Sequence, residues 1–217
     1  DIITERAVTS TMLRPHPQQT RRTALQIMES VERGAHADQL LDRTSNLSKQ
    51  DARLLREIVL GTITWRARID FHLNVYLKRP VSKQKSAVRN LLRLGAYQIL
   101  FLDRVPAYAI VSEAVEQSRQ FGKGVSGMVN AVLRGLAEER KPVTFPDASS
   151  NPVSSIAAEY SYPEWLVRRW LMRYGLDQTK MLCDAGNTRP TLTARVNRKR
   201  ASVDKLISAL SAESIEA

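Results

Sequence analysis

The segment from Val105 to Leu136, VPAYAIVSEAVEQSRQFGKGVSGMVNAVLRGL, constrains the fold more than any other part of the chain. Apolar residues recur at Ile110, Val111, Ala114 and Val115, and again at Val125, Met128, Val129, Val132, Leu133 and Leu136. That i, i+3, i+4, i+7 spacing describes two helices, each with one buried face, joined by a glycine turn. Asn130 interrupts the second apolar run, and asparagine is a poor mid-helix residue. Its amide either satisfies polar groups between packed helices or faces a ligand. Its place between Val129 and Val132 favours a packing anchor over a reader of bases.

The same periodicity extends back to residue 20. Thr20 can cap a first helix that buries Ala24, Ile27, Met28 and Val31 and stops at Gly34. A short helix follows around Asp38 to Arg43. Ser48 and Asp51 form a capping box for a long third helix. Its stripe runs through Leu54, Leu55, Ile58, Val59, Thr62, Ile69, Leu73 and Tyr76, ending before Pro80. A fourth helix, from about Lys83 to Leu102, carries Val88, Leu91, Leu92, Gly95, Ile99 and Leu102 on one face. Gly95 stands where a side chain would separate packed helices, which predicts a close backbone approach. Residues 20–140 thus read as an all-helical bundle of about six helices. Residues 1–19, with Pro15 and Pro17, read as a loose tail. The chain opens on Asp1, and Met12 is one in-frame start.

Composition changes at residues 141–152, KPVTFPDASSNP, which reads as a linker. Helices are then predicted from Val153 to Glu159, Pro163 to Tyr174 and Asp177 to Gly186. Thr191 to Asn197 alternates as a short strand through Leu192, Ala194 and Val196, and a helix from Ser202 to Leu210 carries Leu206, Ile207 and Leu210. The fold class is therefore mainly α: a helical bundle, then the start of a small α/β unit over residues 153–217. One strand cannot make a sheet, so that unit is incomplete as it stands.

Charge narrows the class of partner. The 217 residues carry 33 Lys and Arg against 22 Asp and Glu, a net charge of +11. This balance favours a polyanion, although charge alone does not choose among RNA, DNA and anionic lipid. No apolar run approaches the ~20 residues that span a bilayer, and the N-terminus lacks a signal-peptide core. The single cysteine excludes an intrachain disulfide and suits a reducing, cytoplasmic compartment.

Several short segments carry a resemblance. Arg21-Arg22, LLREIVLG at Leu54 to Gly61, LGAYQILFL at Leu94 to Leu102, VPAYAIVSEAV at Val105 to Val115 and MVNAVLR at Met128 to Arg134 resemble the NusB-like RNA-binding domain. Tyr162-Pro163-Glu164-Trp165-Leu166, Asn187-Thr188-Arg189-Pro190 and Ala194-Arg195-Val196-Asn197 resemble the segment that follows that domain in the RsmB (Sun, Fmu) family. These are bacterial 16S ribosomal RNA cytosine-C5 methyltransferases. The chain departs from the family pattern at Tyr162, where histidine is usual, and in having a single proline at Pro190.

The resemblance implies a small RRM-like subdomain after the bundle and, in the whole protein, S-adenosylmethionine with a cysteine that adds to cytosine C6. It places the Pro-Cys and Thr-Cys motifs and the Rossmann-like catalytic domain outside this chain. No glycine-rich cofactor loop follows a strand, so no cofactor is expected to bind this chain. The expected partner is small-subunit ribosomal RNA, bound by a monomer. The alternative from another class is a stand-alone transcription antitermination factor without catalysis, which would end near Arg140. A third reading is a paralogue that kept only RNA binding.

Basic residues supply the candidate contacts. Arg21 and Arg22 open a helix, where cations oppose the dipole, so a phosphate contact is the functional reading. Arg189, Arg195, Arg198, Lys199 and Arg200 lie within a thirteen-residue run without an acid, and Arg168 and Arg169, with Arg173, add a basic helical face. Trp165 and Trp170 read as core residues, and Trp65 suits core or surface. Cys183, in MLCDAG without a nearby histidine, reads as a buried structural thiol. His16, His36 and His72 lack metal-ligand spacing, so no metal is expected.

Overall fold

The computed structural model describes residues 17–44, 47–139, 141–188 and 193–215. The tail predicted over residues 1–19 lies outside them except for its last three residues, which are already helical. Thr20 is accordingly not an N-cap: α1 runs Pro17–Glu32, and Thr20 is a buried residue within it. Proline suits the first turn of a helix, where its missing N–H costs nothing, so α1 can begin at Pro17.

Next come α2 (Ala37–Asp42), α3 (Lys49–Thr64) and α4 (Arg66–Asn74). Half of the predicted capping box is present: Ser48 Oγ accepts the Asp51 amide at 3.1 Å, while the Asp51 carboxylate accepts the Ser48 hydroxyl at 2.5 Å. The single third helix expected from the stripe is broken. At Trp65 the backbone leaves helical geometry (φ −95°, ψ 18°), and the indole stacks on Phe101 at 5.2 Å. The buried stripe survives because Thr62 and Ile69, on either side of the break, both reach the core.

Beyond a 3-10 turn at Val81–Lys83 lie α5 (Ser86–Phe101), α6 (Ala107–Ser118) and α7 (Lys123–Glu138). The turn between α6 and α7 ends at Gly122 with φ 110°. α5 is the central helix, packed by α1, α3, α4, α6 and α7. Two glycines permit this crowding. A Cβ on Gly95 would stand 2.6 Å from Leu133 Cδ1, and one on Gly61 would stand 2.0 Å from the Tyr97 ring. Leu55, Ile58, Ile69, Leu73, Leu92 and Leu133 are wholly buried, each worth ~1.5–3 kcal/mol of transfer free energy.

Residues 141–151 have no helix or strand, and they are tethered. Tyr76 Oη accepts the Lys141 amide at 2.8 Å, and Phe145 packs against Phe71 at 5.6 Å and His72 at 6.3 Å. α8 (Pro152–Tyr160), capped by Asn151, lies on α4, and the Ser161 hydroxyl accepts the Arg68 amide at 2.9 Å. α9 (Glu164–Asn187) is broken at Gly175 (φ 74°), matching the two helices predicted there. Ile156, Val167 and Cys183 form a second, small core with Tyr162 and Trp170 at its edge.

The chain divides into two compact units, Asp1–Asp184 and Ala185–Ala217. In the second, α10 (Val203–Ala212) starts at Ser202, whose hydroxyl accepts the Lys205 amide. The strand predicted from Thr191 to Asn197 is not observed: residues 193–197 are irregular, and 189–192 fall outside the described residues. A strand exists only by pairing, and the described residues of this unit offer no second extended segment. On α10, Val203 and Ile207 are more than two-fifths exposed.

Candidate nucleic-acid interface

The two arginines that open α1 have opposite fates. Arg22 is exposed, whereas Arg21 is buried. Arg21 Nε donates to Gln98 Oε1 and Nη1 to Glu113 Oε2, both at 2.6 Å, tying α1 to α5 and α6. Helical geometry separates neighbours by about 100°, so one of such a pair turns inward. The functional reading of Arg21 as a phosphate contact is therefore replaced by an interhelical ion pair.

Arg93 is internal in the same sense. It grips Asp70 through two hydrogen bonds of 2.8 and 2.7 Å and reaches Glu32 at 3.2 Å. Arg89 holds Glu32 as well, at 2.9 Å, and the Ser86 hydroxyl bonds the same carboxylate. Burial pushes the Glu32 carboxyl up, but the hydrogen bonds from Arg89 and Ser86 and the two positive charges outweigh it and hold it below the ordinary carboxylate range.

The remaining predicted cations within the described residues point to solvent. Arg168 and Arg169 are exposed on α9, and Arg195, Arg198, Lys199 and Arg200 are exposed in the second unit. None of them has a carboxylate partner among the described residues. Arg189 lies outside those residues. The segment 193–200 is shaped by Asn197, whose side chain accepts the Lys199 amide at 3.1 Å and whose carbonyl accepts the Arg200 amide at 2.9 Å. This turn borders an open concavity of about 570 Å³ lined by Arg195, Val196, Asn197, Arg198 and Lys199.

Trp165 is not a core residue: it is 63% exposed. Val167, two positions on and about 200° around the helix, turns into the second core instead. Trp165, Arg168, Arg169 and Met172, at i, i+3, i+4 and i+7, share one outer face of α9. Trp170 does lie at the core edge, edge-on to Tyr162 at 5.2 Å. Trp65 is half-buried, with the Arg68 guanidinium 5.6 Å from its ring.

Asn130 is also misplaced by sequence reasoning. It is exposed, while Val129, Val132 and Leu133 are buried. The signal was present, since Asn130, Arg134, Ala137 and Glu138 form their own helical stripe. That stripe and α6 border an open groove of about 600 Å³ containing Tyr108, which is 78% exposed. Its charges cancel locally, Arg119 pairing with Glu116 and Arg134 with Glu138, both at 2.9 Å. The buried asparagine is instead Asn90 on α5, wholly enclosed and without a side-chain hydrogen-bond partner among the described residues.

Cys183 is wholly buried, and burial raises its thiol pKa to about 11. A thiol so protonated near neutrality is not a nucleophile. Cys183 therefore does not suit the covalent role that the family resemblance gives to a cysteine of the whole protein. Among the described residues no group of three or more His, Cys, Asp and Glu could hold a metal, and no helix is long and apolar enough to cross a membrane.

Comparison with known proteins gives two family-model matches along the chain. The NusB family model matches residues 18–138, and the model of the Methyltr_RsmF/B-like, ferredoxin-like domain matches residues 162–217. The chain is 38% identical over 175 residues to the probable ribosomal RNA small subunit methyltransferase B of Bacillus subtilis, covering 80% of this chain and 38% of that protein. It is 30% identical over 187 residues to the protein of the same name from Synechocystis, covering 84% and 42% respectively. The chain therefore spans about two-fifths of the length of these relatives. Thermotoga maritima NusB shares the fold, with a TM-score of 0.54 and 22% identity over 60% of this chain and 96% of that one. With the first family model covering more than half of its residues, this chain belongs to the NusB family.

Proposed function

We propose that this chain is the RNA-binding N-terminal part of an S-adenosylmethionine-dependent 16S ribosomal RNA cytosine-C5 methyltransferase, acting in the cytoplasm. Residues 20–140 form its RNA-binding bundle, 141–152 the connection, and 153–217 the start of the subdomain that leads to catalysis. Its role is to capture and orient small-subunit ribosomal RNA electrostatically, while the cofactor and the reactive cysteines belong to the whole enzyme. One observation carries this reading. Arg22, Arg168, Arg169, Arg195, Arg198, Lys199 and Arg200 are exposed and lack carboxylate partners among the described residues. Trp165 beside Arg168 and Arg169 adds an exposed ring of the kind on which an unpaired base stacks, worth ~1–3 kcal/mol per base.

A stand-alone antitermination factor is disfavoured because the chain continues past the bundle into a match with the methyltransferase-associated domain. The test is calorimetry of the chain with S-adenosylmethionine beside filter binding with a small-subunit ribosomal RNA transcript. RNA binding without cofactor binding supports the proposal. Cofactor binding by this chain, or no RNA binding, contradicts it.

A further inference from the structure

Between α4 and α5 the chain reads Lys78-Arg79-Pro80-Val81-Ser82-Lys83-Gln84-Lys85, and from Val75 to Leu102 there is no acidic residue. Lys78, Arg79, Lys83 and Lys85 are all exposed, and none has a carboxylate partner among the described residues. The nearby carboxylates that could neutralise them are already engaged: Glu32 by Arg89, Arg93 and Ser86, and Asp70 by Arg93. Four cations thus crowd one loop without local compensation, an arrangement that repels itself until an anion arrives.

The loop is also built rather than loose. Asn74 Oδ1 accepts the Val81 amide at 2.8 Å, and the Val81 side chain is only 1% exposed, so the 3-10 turn is anchored in the core. Gln84 Nε2 donates to the Arg79 carbonyl at 3.1 Å, and Arg89 Nη1 donates to the Gln84 carbonyl at 2.9 Å while its other nitrogens hold Glu32. One arginine therefore braces the loop against α1. α5 begins here with no acidic residue in its first turn and no side-chain cap, so nothing on the helix itself offsets the positive charge. Fixing the loop in advance removes ordering entropy from the binding step.

We propose that this α4–α5 loop is a preformed docking surface for the sugar-phosphate backbone of RNA, with Lys78, Arg79, Lys83 and Lys85 as its phosphate contacts and Asn74 and Arg89 as positioning residues. The inference rests on the RNA-binding reading above and adds a second, separate basic surface to it.

The experiment measures filter binding of the 217-residue chain to a small-subunit ribosomal RNA transcript across a salt series. It compares wild type, the fourfold variant Lys78→Gln, Arg79→Gln, Lys83→Gln, Lys85→Gln, and a control with Arg43, Lys49, Arg53 and Arg104 changed to Gln. Both variants lose the same charge from exposed positions. The loop variant should bind about tenfold or more weakly, and its log–log salt slope should be shallower by ~0.7 for each phosphate no longer neutralised, about 3 in all. Its melting temperature should equal that of wild type, and the control should change affinity much less. Asn74→Ala should weaken binding by a smaller factor with the slope kept, because the charges remain but their placement loosens. If the loop variant binds like wild type, or no worse than the control, the loop is not a docking surface although the chain binds RNA. If wild type itself shows no salt-sensitive RNA binding, the broader reading fails and takes this inference with it.

Discussion

The bundle and the C-terminal unit use the same kind of residue in opposite ways. In the bundle, Arg21 and Arg93 are buried and spend their donors on Gln98, Glu113, Asp70 and Glu32, so their charge serves helix packing. In the unit Ala185–Ala217, Arg195, Arg198, Lys199 and Arg200 stand on and beside a turn organised by Asn197, exposed and without a carboxylate partner among the described residues. An arginine in a basic protein therefore says little until its environment is known. What separates the two groups is whether a carboxylate or amide from another helix reaches the guanidinium.

The largest loss of stability is expected at Arg93. Arg93→Ala leaves Asp70 without its ion-pair partner, while Glu32 keeps Arg89 and Ser86, and should cost ~3 kcal/mol, read as a large fall in melting temperature. Arg198→Ala, in the other group, should move stability by less than about 0.5 kcal/mol. Equal effects at the two positions would erase the distinction. A step down in size, Gly95→Ala drives a methyl into Leu133 and should cost ~1–3 kcal/mol by overpacking, measured by denaturant titration.

Asn90→Leu should be neutral or stabilising by about 1 kcal/mol or less, because it removes buried polar atoms that have no partner among the described residues. A large loss would mean that Asn90 has a bonding role. The smallest effect is at His72, whose pKa is lowered by burial and then by the charge of Arg68. Its folded pKa lies below its unfolded one, so its contribution is present above about pH 6.5 and fades as pH falls through the folded value. His72→Gln should therefore flatten the decline in melting temperature below that pH.

Much of the bundle is legible in the sequence because it depends on periodicity and caps. The stripes through Leu55, Ile58, Val59, Leu92, Val132 and Leu133 mark the buried faces, and Ser48 marks a helix start. The break at Trp65 is not legible, since the ring its indole stacks on, Phe101, lies far along the chain. Interior and exterior cations look alike for the same reason: Arg21 and Arg22 are neighbours, and only the distant Gln98 and Glu113 distinguish them. Trp165 shows the limit of residue-type reasoning, as a large aromatic after a helix-starting proline faces solvent because Val167 takes the inward position. The strand expected near Val196 is not seen over residues 193–197, because alternation indicates willingness to pair while pairing needs a second segment, which the described residues of this unit do not supply.

The cations proposed to bind RNA are the unpaired ones, not the buried ones. The most direct test is the salt dependence of affinity for a small-subunit ribosomal RNA transcript, measured for the wild-type chain and for Arg195→Glu, Arg198→Glu, Lys199→Glu. With ~5 single-strand phosphate contacts or more, the wild-type slope of log affinity against log salt should be about −3.5 or steeper. The triple variant should bind more weakly and less steeply with an unchanged melting temperature. A wild-type slope near zero, or a variant with the same affinity and slope, would contradict the account.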